Sequence, residues 1–195
     1  MVIDSQTSLS FDGRVYLFGG FIGGSKPHYS NKTFLFEPQT VQYRQIETSG
    51  LPPLARSDHS STLIDDEMVV FGGISDNNTY LNDVWMLNLS QHSWRRIGVS
   101  GEKPSARIGH SCASYSSVLI IFGGHEEASK EATRIYALDV AKPAWRKFAD
   151  SSCESEPEPW MAEEGPKKGL AGSGLGGGSP KKPSSPILRH RSMGN

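Results

Sequence analysis

Gly-Gly pairs recur along this chain at a near-constant interval, and no other feature limits its possible folds as tightly. They stand at Gly19-Gly20, Gly72-Gly73 and Gly123-Gly124, 53 and then 51 residues apart. Each pair closes an apolar run: Val15-Tyr-Leu-Phe18, Met68-Val-Val-Phe71 and Val118-Leu-Ile-Ile-Phe122. An aromatic residue follows each time, as Tyr43, Trp94 and Trp145, with 51 residues between successive members. The pattern Pro-x-x-Arg-x-x-His occurs as Pro53, Arg56, His59 and again as Pro104, Arg107, His110, also 51 apart. Independent residue types that share one period mark an internal structural repeat.

Each repeat reads as four short strands. In the second repeat these are 59–64, 68–71, 83–87 and 94–97, runs rich in Val, Ile, Phe and Trp and bounded by turn residues. The third repeats the plan at 110–115, 118–122, 134–138 and 145–148, and the first at 8–11, 14–18, 33–36 and 43–46, with Asp12-Gly13 as a hairpin turn. The second strand of each repeat is apolar at nearly every position, so both of its faces are expected to be buried. Four-stranded sheets packed side by side around an axis meet that need. The expectation is an all-β fold, a partial β-propeller of about three four-stranded blades within residues 1–150, at 5–48, 53–99 and 104–149. Gly72-Gly73 is expected to break the second strand, which leaves 74–82 as a loop.

These motifs resemble the kelch family: Gly-Gly after a hydrophobic strand, Asn82-Asp83-Val84-Trp85, the Trp that follows, and the Pro-x-x-Arg-x-x-His opening. The resemblance covers about three quarters of the chain. Repeats two and three are most similar to intracellular kelch proteins of the F-box and Rab-effector kinds. The first repeat departs from the pattern, because Ile3 and Gln6 stand where Arg56 and His59 stand in the second. Propellers usually have about four to eight blades, so three leave two open flanks. A second copy, a partner, or blades absent from this version of the chain would cover them.

The resemblance implies a protein-interaction module, either a scaffold or a substrate-recognition adaptor in ubiquitin ligation or trafficking. The alternative is a truncated isoform or fragment of a larger kelch protein, non-autonomous or regulatory. In the family, the loops after the second strands and those joining repeats share one face where partners bind. The candidate partner-binding residues there are Arg56, Arg107, Asn77, Asn78, Tyr80, His125, Glu126 and Glu127. Arg56 and Arg107 match the family position that can present a guanidinium to an acidic peptide, since the planar fork of Arg suits a carboxylate. The competing reading has both arginines paired with local carboxylates or carbonyls. Trp94 and Trp145 are expected between neighbouring blades, the Gly-Gly pairs at positive φ or at close chain approach, and His59 and His110 in scaffold packing.

Catalysis is not expected. The sequence has no metal-binding His or Cys spacing, no phosphate-binding Gly-rich loop and no nucleophile elbow, so no metal or cofactor is assigned. Kelch-fold copper oxidases resemble this chain in fold, but rely on ligands gathered across a full ring. The Glu-x-x-x-Asp-x-x-x-His motif of the plant specifier proteins is missing. A net charge of −1 gives no reason to expect nucleic acid or an acidic membrane as partner. Cys112 and Cys153 form no disulfide framework, and no secretory signal or membrane-length apolar run is found. A cytoplasmic protein is expected, with Lys181-Lys182-Pro183 as a candidate nuclear-import element. Residues 151–195 pass from acidic to Gly/Ser-rich to basic, with too few apolar side chains to offset chain entropy, and are expected to be disordered. Ser179, Ser185 and Ser192 are candidate kinase sites in that tail.

Overall fold

Short apolar runs separated by tight turns fold into successive antiparallel sheets, one per repeat. The computed structural model describes residues 3–126 and 134–148. The first blade contains β1 (Ile3–Asp4), β2 (Thr7–Phe11), β3 (Arg14–Phe18), β4 (Phe21–Ile22), β5 (His28–Tyr29), β6 (Thr33–Glu37) and β7 (Gln42–Ile46). The second contains β8 (Ser60–Ile64), β9 (Glu67–Ser75), β10 (Thr79–Asn88) and β11 (Ser93–Arg96). The third contains β12 (Ser100–Gly101), β13 (Arg107–Ile108), β14 (Ser111–Tyr115), β15 (Val118–Phe122), β16 (His125–Glu126), β17 (Ile135–Asp139) and β18 (Ala144–Phe148). The four main strands pair in chain order in every blade: β2-β3-β6-β7, β8-β9-β10-β11 and β14-β15-β17-β18. The first strands, β2, β8 and β14, lie against one another in succession. No helix among the described residues is long and apolar enough to cross a membrane. The acidic, Gly/Ser-rich and basic tail, with Cys153, Lys181, Lys182 and the candidate kinase sites, lies outside the described residues.

Alternation along each strand sends successive side chains to opposite faces, and both faces of the middle blade are covered. Met68, Val70, Trp85, Leu87 and Trp94 face the first blade, where they meet Tyr16, Phe18, Leu35 and Ile46. Val69, Phe71, Val84 and Met86 face the third, where they meet Leu119, Ile121, Tyr136, Leu138 and Trp145. Trp94 packs on Phe18 with ring centroids 4.7 Å apart, and Trp145 packs edge-on against Phe71 at 5.4 Å. The repeated Trp is therefore the wedge between blades. Burying one removes ~150–250 Å² from water, a gross gain of about 4–6 kcal/mol before entropy is counted. Tyr43 holds the same repeat position in the first blade, but it remains 49% exposed and stacks on Phe34 of its own sheet.

One expected boundary is wrong. Gly72-Gly73 does not end the second strand: β9 continues to Ser75, turns through a 3-10 segment at Asp76–Asn78 and returns as β10. Residues 74–82 are thus a hairpin extension and not a loop. The glycines, at φ +64° and +96°, take a left-handed conformation that absorbs an irregularity, and the ladder shifts register between Leu81 and Val84. In the outer blades the corresponding chain forms separate small pairings, β4 with β5 and β13 with β16.

Two further regularities carry no recognised sequence signal. Ser49-Gly50 and Ser100-Gly101 are linker segments that run parallel to the outer strand of the following blade. The N–H of Asp58 bonds to the carbonyl of Ser5, and the N–H of Gly109 to that of Asp58, at 3.1 Å each. These three residues share one repeat position and all have positive φ. They stitch successive blades together through the backbone, which is why Ser, Asp and Gly can all serve there.

Candidate functional site

The linker that enters each of the second and third blades carries its arginine inward. Arg56 is 0% exposed. Its Nε donates to the Leu54 carbonyl at 3.0 Å, and Nη1 donates to the Gly72 carbonyl at 3.0 Å. Nη1 and Nη2 then grip the two carboxylate oxygens of Asp83 at 2.8 and 3.0 Å. Asp83 also accepts the Trp85 indole N–H at 2.6 Å. Burial works to raise the Asp83 pKa, but the Arg56 hydrogen bonds and charge and the indole N–H outweigh it and hold the carboxyl below its usual range.

Arg107 is likewise 0% exposed. Nε donates to the Ser105 carbonyl at 3.2 Å, Nη1 to the Gly123 carbonyl at 2.8 Å, and Nη2 to Ser105 Oγ at 3.0 Å and to Glu126. Its guanidinium carbon lies 5.2 Å from the centroid of the Tyr136 ring, within cation–π range.

These contacts correct the expectation that Arg56 and Arg107 present guanidinium groups to an acidic peptide. Both arginines tie a linker to the Gly-Gly turn of its own blade. Glu126 is corrected with them: it is buried and turned onto Arg107. A buried guanidinium requires a full set of acceptors, and the fold supplies them locally, as the competing reading held.

His59 and His110 join neighbouring blades. A Cβ added to Gly19 would lie 2.7 Å from His59 Cε1, and one on Gly72 would lie 3.0 Å from His110 Cε1. Gly19 and Gly72 must therefore lack a side chain because the histidine of the next blade packs there. That contact links two motifs separated by about forty residues in the sequence. His59 Nε2 lies 2.9 Å from Thr7 Oγ1. Burial first, and the nearby arginine second, push His59 down to about 3 and His110 down to about 4. Both rings are neutral near pH 7.

Two of the remaining candidates meet at the loop edge, and a third lies in the hairpin turn two residues before Tyr80. Asn78 is exposed at the tip of the β9–β10 hairpin, with φ +56°. Tyr80, half-buried on β10, meets exposed His125 of the next blade edge-on, with ring centroids 6.2 Å apart. Asn77 lies in the same turn, and Glu127 lies outside the described residues. The sequence motifs do not connect Asp83 with Arg56, nor Ser105 with Arg107. The acid that opens the third strand and the hydroxyl two residues before the second arginine are the available signals. The role of Asn31 and Asn82 is also missed, although Asn82 lies in a recognised motif. They sit 51 residues apart, and each donates its side-chain amide to the carbonyl of the proline that opens the next repeat, at 3.4 and 3.2 Å.

Residues 5–162 match the model of the KLHDC2/KLHL20/DRC7 Kelch-repeats domain. The chain is 29% identical over 174 residues to acyl-CoA-binding domain-containing protein 4 of Arabidopsis thaliana, covering 89% of this chain and 25% of that protein. It is 30% identical to Rho GTPase-activating protein gacHH of Dictyostelium discoideum, covering 76% of this chain and 10% of that one. With Kelch domain-containing protein 3 of Mus musculus it shares 32% identity, over 72% of this chain and 40% of the relative. The solved structure of YjhT superposes with a TM-score of 0.62 at 18% identity, covering 77% of this chain and 53% of the other. The chain spans well under half the length of these curated relatives.

Proposed function

The chain belongs to the kelch-repeat family, and on that premise we propose that it binds a protein partner on the loop edge formed by the β9–β10 hairpin and the β13–β16 pair. The observation that carries this reading is the meeting of Tyr80 and His125. Adjacent blades place the two rings edge-on across their boundary, and the exposed Asn78 sits in the turn that leads into Tyr80. Loops held by rigid sheets are where this kind of scaffold carries recognition, and an aromatic ring with polar neighbours is a frequent binding hot spot. With both arginines sealed, recognition rests on this aromatic and amide cluster and not on a guanidinium offered to an acidic peptide.

The finer form of the proposal is an adaptor that holds a substrate for ubiquitin ligation or trafficking, working by binding and not by catalysis. It acts in the cytoplasm, with Lys181-Lys182-Pro183 giving access to the nucleus. Self-association through the blade flanks belongs to the same reading. The second reading, a fragment or isoform that works only beside further blades, is favoured by the exposure of Phe122 and Tyr115 on the third blade.

The test is affinity capture from cells with the wild-type chain and a Tyr80→Ala/His125→Ala variant. Specific partners should be lost from the variant while it stays folded, with a stability loss of about 1 kcal/mol, the usual size for a single substitution. Retention of the same partners at the same yield would overturn the loop-edge site.

A further inference from the structure

The two blade boundaries inside the chain show what an outer flank of this protein is built to meet. Ile64, Phe71 and Val84 are 3%, 0% and 1% exposed because the third blade covers them. Moving each by 51 residues, one repeat, gives Tyr115, Phe122 and Ile135, which are 61%, 51% and 42% exposed. The third blade thus leaves partly bare the surface that its neighbour buries, with Ala137, at the Met86 position, remaining covered.

The opposite flank carries the matching half. The residues of the second blade that face backwards are Met68, Val70, Trp85, Leu87 and Trp94, all buried. Their counterparts in the first blade are Val15, Leu17, Phe34, Phe36 and Tyr43. All five are apolar or aromatic, and none is fully buried. Tyr43 stands where a Trp covers the Phe of the preceding blade at both internal boundaries. The backbone stitch has the same polarity. The series Asp58 to Ser5 and Gly109 to Asp58 would continue with the N–H of Ser5 as donor and the carbonyl of Gly109 as acceptor.

We propose that a second copy of this chain covers these flanks head to tail, with the first blade of each copy on the third blade of the other, closing a ring of six blades. Two identical heterologous contacts related by a two-fold axis close such a ring, and six lies within the usual range of about four to eight blades. In this arrangement Tyr43 of one copy packs on Phe122 of the other, as Trp145 packs on Phe71. The proposal deepens the reading of the chain as an interaction module and uses a different surface from the loop edge.

The experiment is native mass by light scattering or sedimentation on the full chain at micromolar concentration. The expected result is a species of twice the 21.3 kDa chain mass. A monomer, or a ladder of open oligomers, would overturn the ring. Phe122→Asp and Tyr43→Asp should each give monomers, and mixing the two should restore a dimer, because one contact then joins two intact flanks. Dimerisation lost only in Phe122→Asp would indicate a third-blade-to-third-blade contact and overturn the head-to-tail arrangement. Should either variant fail to fold by circular dichroism, a cross-link between Tyr43→Cys and Phe122→Cys copies decides instead, and its absence counts against the proposal. The Tyr80→Ala/His125→Ala chain should still dimerise, so failure at the flank and failure at the loop edge can be told apart.

Discussion

The second and third blades seal the same arginine with acids taken from different strands. In the second blade Arg56 is gripped by Asp83, in the middle of β10, and residue 75 is a serine. In the third blade the Asp83 position is occupied by Arg134, and the acid has moved to Glu126, which stands opposite Arg107 in the β13–β16 pairing. The first blade has no such ion pair: Ile3 stands at the arginine position and faces Ile22 at the Glu126 position. The repeat therefore keeps a plug between linker and Gly-Gly turn, buried in the second and third blades and half-buried in the first, while its chemistry varies. Three geometries satisfy one requirement, that nothing charged is left buried without a partner.

Breaking one half of a plug should give the largest effect. Arg56→Ala takes the guanidinium from the largely buried Asp83 carboxylate, and Arg107→Ala takes it from buried Glu126. Each should destabilise the fold by about 3–5 kcal/mol in denaturant titrations. A loss under about 1 kcal/mol for either would mean the plug is not structural. Copying the first blade into the third sharpens the comparison. Arg107→Ile combined with Glu126→Ile should recover roughly half or more of the single-variant loss, since both members of the ion pair are then replaced by apolar groups. A double variant as unstable as Arg107→Ala would show that the carbonyl bonds to Gly123 and Ser105 dominate.

The histidines give a pH effect of intermediate size. With native values of about 3 and 4 against about 6.5 in an unfolded chain, the unfolded state takes up protons that the native state refuses. Stability is therefore full above about pH 6.5 and falls with acidification, by up to about 1.4 kcal/mol per pH unit for each histidine. The depressed Asp83 acts in the same direction at lower pH. Denaturation midpoints between about pH 7.5 and 5 should show this slope, and His110→Leu should reduce it. A flat profile would contradict the burial of both rings. The smallest effect separates the two arginines. Arg56 uses both guanidinium tips on one carboxylate, whereas Arg107 reaches Glu126 through one. Arg56→Lys should therefore cost about 1 kcal/mol more than Arg107→Lys, because an ammonium cannot reproduce a bidentate fork.

Most of the main framework is legible in the amino-acid sequence. The strand positions of all three blades and the wedge role of Trp94 and Trp145 follow from period and hydrophobic pattern, because each repeat meets the same local requirements. The site is less legible. Arg56 and Arg107 carry identical sequence signals whether they point outward to a peptide or inward to a carboxylate, and residue type alone does not fix side-chain direction. Gly72-Gly73 reads as a strand end, since glycine marks turns and bulges alike.

The sequence by itself determined the period, the four-strand unit and the residues that must be apolar, because these depend on contacts that repeat every 51 residues. Only the tertiary structure decided which acid answers each arginine, why Gly19 and Gly72 must be glycines, and which faces remain bare. Those outcomes depend on neighbours from another strand or another blade: Phe71 and Phe122 hold the same repeat position, and among the described residues a next blade lies against Phe71 but not Phe122.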